Sequence, residues 1–185
     1  NFGTASLGNL AKLGRGVKSR RWSSYDKTGG NGDSWPIPAG KTVVLGEMEG
    51  ARCIRHIWMT TTDGNNNLRR LVIRMYWDGE ETPSVQCPVG DFFGLGHAKA
   101  NYFQSLPLQA FYLGMNCWFP MPYSNGARIT VTNDSPDDSF LYFYIDYQVL
   151  DEPLDDTGRF HANWRRELVF RKPDRTNLNT TGDDN

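Results

Sequence analysis

The sequence predicts an all-β fold, an antiparallel sandwich or barrel, with short helical pieces at both ends. Strand-like stretches recur through the middle of the chain, turn-forming residues separate them, and no helical periodicity alternates with them as a parallel βαβ sheet would require. Aromatic residues make up 13% of the chain, with six Trp. Such a content suits strands whose rings fill a sandwich core or face carbohydrate.

The elements follow in order. Residues 6–13 place Leu7, Leu10, Ala11 and Leu13 at helical spacing, closed by Gly14 and Gly16, which predicts a short amphipathic helix. A polar loop spans 21–34. Strands are expected over 41–47, 52–62, 69–77, 83–88, 106–113, 117–123, 127–133 and 140–150. Turn signals between them include Glu49-Gly50, Asp63-Gly64, Asp78-Gly79, Asn125-Gly126 and Ser135-Pro136. In 70–77, Leu71, Ile73, Met75 and Trp77 alternate with Val72, Arg74 and Tyr76, so both faces are largely apolar. That pattern predicts a central strand with its second face partly covered, and 140–150 repeats it. After Leu150 come an acidic linker, a short helix over 160–170 with Phe160, Trp164 and Leu168 four apart, and an extended tail. The organisation is an N-terminal helix and loop (1–40), a jelly roll (41–150), and a linker, helix and tail (151–185).

The chain has 185 residues, enough for one substantial domain. With 20 basic against 21 acidic residues it lacks the electrostatic footprint of a nucleic-acid or anionic-membrane binder. No apolar run reaches the ~20 residues of a membrane span. Cys53, Cys87 and Cys117 show no metal-ligand spacing, so neither a metal nor another cofactor is expected, and a small buried hydrophobe is the usual role for such thiols. One disulfide with a free thiol stays open. A chain beginning at Asn1 predicts a processed or excised product, with an extracytoplasmic location favoured. Asn133-Asp134-Ser135 and Asn179-Thr180-Thr181 fit the glycosylation acceptor pattern, a short motif with many false positives.

The loop 21–34 gathers a guanidinium, hydroxyls, two carboxylates, a carboxamide and several glycines. Each hydroxyl of a sugar needs a donor or an acceptor, and this loop offers both. Arg21, Ser23, Ser24, Asp26, Asn31 and Asp33 are therefore candidate substrate-binding residues, set against an ordinary surface loop in which Asp26 and Asp33 cap backbone amides. Trp58 is either a core residue or a platform for a sugar ring. Asp91 and Asp78-Gly79 read as turn residues. His56, His97 and His161 lie far apart, and no G-x-S-x-G elbow accompanies the serines.

These landmarks fall in a fixed order: Arg21, Ser23, Ser24, Asp26, Gly29, Gly30, Asn31 and Asp33; Ile57-Trp58-Met59-Thr60; Arg74, Tyr76, Trp77, Asp78 and Gly79; Pro83-Ser84-Val85; Pro88, Gly90, Asp91, Phe92, Phe93 and Gly94; Met121-Pro122-Tyr123; Phe160-His161-Ala162, Trp164 and Arg165. The set resembles glycoside hydrolase family 172, formerly a bacterial domain family of unknown function, whose members include enzymes acting on α-fructofuranosides and arabinofuranosides. The resemblance implies a subunit of two consecutive jelly rolls, assembled as a trimer or a dimer of trimers. It implies a retaining mechanism whose two catalytic glutamates lie in the second jelly roll. The motifs carrying them do not occur here, and the nearest analogue, Gly90-Asp91-Phe92-Phe93, has Asp where a Glu is required. No catalytic residue is assigned to this chain, which alone is expected to be inactive.

The expected function is the N-terminal jelly-roll part of a glycoside hydrolase acting on furanosidic sugars. It would supply substrate-binding and oligomerisation surface, with a furanoside or oligosaccharide ligand and the C-terminal jelly roll as partners. The alternative is a non-catalytic subunit of a trimeric double jelly-roll shell, tube or surface array. A carbohydrate-binding module is a third option.

Overall fold

The computed structural model describes residues 16, 18–62, 64–153 and 156–167. The helix expected at 6–13, the tail beyond 167 and the acceptor motif at Asn179 lie outside the described residues.

The described residues form a two-layer β-sandwich. Its strands are β1 (Lys18–Ser23), β2 (Trp35–Ile37), β3 (Thr42–Glu49), β4 (Arg52–Thr60), β5 (Leu71–Trp77), β6 (Val85–Pro88), β7 (Asn101–Gln104), β8 (Leu108–Tyr112), β9 (Gly114–Cys117), β10 (Met121–Tyr123), β11 (Gly126–Asn133), β12 (Ser139–Val149) and β13 (Ala162–Asn163). Two single-turn helices, α1 (Asn67–Arg70) and α2 (Val89–Phe92), flank β5 and follow β6. An eight-stranded sheet runs β1-β12-β4-β9-β8-β7, with β2 on β12 and β10 on β4. A five-stranded sheet runs β13-β6-β5-β11-β3. The chain crosses between layers from β3 to β4, from β4 to β5 and from β11 to β12, as jelly-roll strands do.

Period-two burial drives this arrangement. On β5, Leu71, Ile73, Met75 and Trp77 are buried, and Val72, Arg74 and Tyr76 are half-buried on the other face. On β12, Leu141, Phe143, Ile145 and Tyr147 point into the core, leaving Phe140, Tyr142, Tyr144 and Asp146 outside. Both two-faced strands are flanked by partners on each side, as expected. The three cysteines are free and buried. Asn133 is fully buried, and its amide nitrogen donates to the carbonyls of Ile37 (2.8 Å) and Asp137 (2.9 Å). That nitrogen is the atom a glycan would need, so in the fold the acceptor pattern at 133–135 is a turn-closing device.

Two expectations need correction. The loop 21–34 was expected to hold no strand, yet Arg21, Trp22 and Ser23 end β1, paired with β12. As an edge strand it needs no apolar face. The helix expected over 160–170 is absent from its described part: Ala162 and Asn163 pair parallel with Val85 and Gln86 of β6. Phe160 packs on Phe92 and Phe119, and its carbonyl accepts a bond from Trp77 Nε1 at 2.8 Å. Residues four apart share a face in a strand as well as in a helix, so the spacing of Phe160 and Trp164 fits both.

Candidate functional site

The polar loop uses most of its own chemistry. Asp26 Oδ1 accepts from the amide and hydroxyl of Thr28 (2.9 and 2.7 Å), and Oδ2 accepts from the Gly32 amide at 3.0 Å. These bonds hold its carboxyl below the usual carboxylate range. Asp33 Oδ1 accepts from the Asp26 amide at 2.8 Å. A Cβ at Gly30 would sit 2.6 Å from Asp26 Oδ2, so a larger residue there would push the Asp26 carboxylate out of its present place. Ser24 is buried; its hydroxyl accepts from the Phe143 amide at 3.0 Å and extends the β1–β12 ladder by one side chain. Asp26, Asp33 and Ser24 thus shape the loop, Asn31 is exposed at its tip, and only Arg21 and Ser23 join a larger constellation.

That constellation lies on the outer face of the eight-stranded sheet. Residues directly opposite across antiparallel strands share a face. One row crosses Arg21, Asp146 and His56 on β1, β12 and β4. The next crosses Ser23, Tyr144, Trp58, Asn116, Gln109 and Gln104 on β1, β12, β4, β9, β8 and β7. Trp58 is half-buried and stacks on Tyr144, with ring centroids 5.0 Å apart. It lies outside the core, on the side where a ligand could use it.

The first row is charged and tied together. Arg21 donates to both Asp146 oxygens, at 2.6 and 3.1 Å, and its guanidinium sits 4.4 Å over the Tyr144 ring. His56 Nδ1 lies 3.1 Å from Asp146 Oδ2, and Nε2 lies 3.0 Å from Asn116 Oδ1. The His56 ring stacks on Trp118 at 5.2 Å. Burial works to raise the Asp146 carboxyl, but the bonds from Arg21 and His56 outweigh it and leave it below its ordinary value. A group held as a carboxylate is a poor general acid at neutral pH and a good acceptor for hydroxyls. An open hollow of about 540 Å³ beside the row is lined by Arg21, Arg55, Asp146 and Gln148 among others.

Asn116, Tyr144, Asp146, Gln109 and Gln104 of this face are not singled out by the sequence, where His56 stands only as an isolated histidine. The available signal was the outward register of 140–150, in which Tyr144 and Asp146 alternate with core residues. Pairing with β4 and β9, which assembles the rows, is not written in any one segment. Asp78, expected as a plain hairpin turn, is instead a hub: its Oδ1 accepts from the amides of Ser124, Asn125 and Gly126 and its Oδ2 faces Arg159. Among the described residues no three His, Cys, Asp or Glu side chains are placed to hold a metal ion, and no helix is long and apolar enough to cross a membrane.

Comparison with known families matches residues 15–157 to the GH172 first beta-sandwich domain. No curated protein matches the chain.

Proposed function

Since the chain belongs to glycoside hydrolase family 172, as its first β-sandwich domain, we propose that it holds a furanosidic sugar on the outer face of its eight-stranded sheet. The observation that carries this is the uncharged row Ser23, Tyr144, Trp58, Asn116, Gln109 and Gln104. Aromatic faces suit the C–H side of a sugar ring, and a hydroxyl and amides suit its O–H groups. The charged row beside it supplies a fixed carboxylate acceptor in Asp146. Held as a carboxylate, Asp146 accepts hydroxyls and does not serve as a general acid; in this reading the sandwich binds and positions the sugar.

The same reading assigns assembly to the β7–β8 hairpin. No charged side chain occurs from Asn101 to Tyr112. Tyr102, Leu106 and Phe111 are 73%, 79% and 67% exposed on it. Free sheet edges are ordinarily protected by charge, proline or a bulge. An uncharged aromatic edge suits contact with further copies of the chain in a trimer, or with a second jelly roll.

The direct test is titration of the full chain with methyl α-L-arabinofuranoside and methyl α-D-fructofuranoside. Trp58→Ala is expected to weaken binding about tenfold or more, measured well below the variant's melting temperature so that the loss is read on folded protein. Equal affinity in the variant would sink the proposal.

A further inference from the structure

Asp91 and Arg69 form an ion pair that leaves both partners short of hydrogen bonds. Arg69 Nε lies 3.2 Å from Asp91 Oδ2, and the two side chains are only 23% and 15% exposed. Both atoms are buried, and neither has a hydrogen-bond partner of good geometry. The other oxygen, Asp91 Oδ1, accepts from Trp164 Nε1 at 3.1 Å. The Arg69 guanidinium sits 4.8 Å over the Trp164 ring. Burial raises the Asp91 carboxyl above its usual value in spite of the Arg69 charge.

These groups line a cavity of about 600 Å³ between α1, α2, the turn at Gly96–Ala98 and the segment after β13. That volume suits a small organic ligand. The backbone around it is strained. Among the described residues, the non-glycine residues with positive φ are Asn66 (58°), Asp78 (56°), His97 (60°), Ala98 (55°) and Tyr112 (58°). Asn66, His97 and Ala98 all belong to this cavity. Asparagine tolerates the left-handed region; alanine has no polar side chain to compensate for it. Strain of this kind gathers at ligand clamps.

The lining decides the ligand's charge. Arg165 and Arg166 lie at the rim, with Arg165 paired to Glu167. An anion drawn by the arginines would meet the Asp91 carboxylate at the floor. A neutral ring with neighbouring hydroxyls meets the exposed edges of the Arg69 guanidinium and the Asp91 carboxyl and an apolar surface on Trp164. We propose that this cavity is a second binding site, for a neutral polyhydroxylated ring, with Asp91 and Arg69 gripping adjacent hydroxyls against Trp164. The choice of a sugar as ligand rests on the function proposed above; the site itself rests on its own residues and shares none with the Trp58 row.

The test uses tryptophan indole N–H resonances of the full chain, assigned with single Trp→Phe variants, during titration with methyl α-L-arabinofuranoside and, separately, sodium sulfate. The Trp164 signal is expected to move saturably with the sugar and not with sulfate, with a midpoint independent of the Trp58 signal. Asp91→Asn is expected to weaken the Trp164 response about tenfold or more. Arg69→Gln, which keeps the carboxylate, is expected to do the same and guards against a folding defect in the first variant. A Trp164 signal that stays still while Trp58 moves overturns this site and leaves the first; movement of Trp164 with Trp58 silent does the reverse. Response to sulfate in place of sugar, or an unchanged midpoint in both folded variants, also overturns it.

Discussion

Arg159 Nε lies 2.6 Å from Asp78 Oδ2, while Asp78 Oδ1 accepts from three consecutive backbone amides, those of Ser124, Asn125 and Gly126, at 2.8, 2.6 and 3.3 Å. One carboxylate therefore fastens the β10–β11 turn and the segment leading to β13 to the end of β5. Arg159 completes the clamp through Nη2, which donates to the Ser124 hydroxyl at 2.6 Å.

Asp78→Asn isolates the charge, because asparagine tolerates the left-handed backbone that Asp78 adopts (φ 56°). Hydrogen bonds to a charged group contribute roughly 1.5–3 kcal/mol, and a loss of about 2–3 kcal/mol is expected in urea unfolding. Burial acts to raise the Asp78 carboxyl, but its amide and Arg159 bonds prevail and hold it below its ordinary value. A depressed folded value stabilises the protein above the unfolded pKa of about 3.9 and loses that stability as pH falls through the folded value. The gap between wild type and variant should close in acid. A gap independent of pH would contradict the clamp.

The Asp78 hub shows where the sequence was legible and where it was not. Among the strands expected over 41–150, those whose core face carries unbroken period-two apolar residues, such as Leu71, Ile73, Met75 and Trp77, are the most legible, whereas the stretch 117–123 is split between the end of β9 and β10. Strand β1 escaped notice because its Lys-Ser-Arg-Arg-Trp-Ser run lies on an edge and buries almost nothing. β7 was hidden for the same reason. At the site, Trp58 and Arg21 were identifiable as residue types, but their meeting through Tyr144 depends on register between segments more than 80 residues apart. Asp26 and Asp33 drew attention by composition, and local bonding within the loop claimed them.

Arg21→Gln tests the charged row. The Asp146 carboxyl is depressed in the fold, with burial opposing and the Arg21 and His56 bonds prevailing. Its acceptor role should therefore persist from neutral pH down past the ordinary carboxylate value of about 3.9. Furanoside affinity is expected to stay level across that range and fall below it. Removing the guanidinium should move this acid edge upward. An edge at the same pH in both proteins would show that Asp146 does not contact the ligand.

The thiols of Cys87 and Cys117 are pushed up to about 12 by burial, and burial also raises Cys53. Thiolate is the reactive form, so all three should resist iodoacetamide and a disulfide reagent at pH 8 in the folded protein. In urea they should react at the rate of a free thiol. Fast labelling of any one of them in native protein, followed by mass spectrometry, would contradict the buried placement.

The hairpin offers the sharpest test of assembly. Phe103 anchors it: a Cβ at Gly94 would lie 2.5 Å from the Phe103 ring, and Gly94 has φ 87°, so glycine there lets the hairpin seat on the α2 turn. With that base fixed, Tyr102 and Phe111 pack edge to face at 5.0 Å and present their remaining surface outward. Replacing Leu106 and Phe111 together by Lys adds charge to an edge that has none and leaves the core untouched. Light scattering at a range of concentrations is expected to show association in the wild type and a monomer in the double variant, with equal melting temperatures for the two monomers at high dilution. Gly94→Ala should also weaken association, but through misplacement of the hairpin and with a lower melting temperature. A wild-type chain that stays monomeric at high concentration, or a double variant that associates as well as wild type, would remove the hairpin from the assembly.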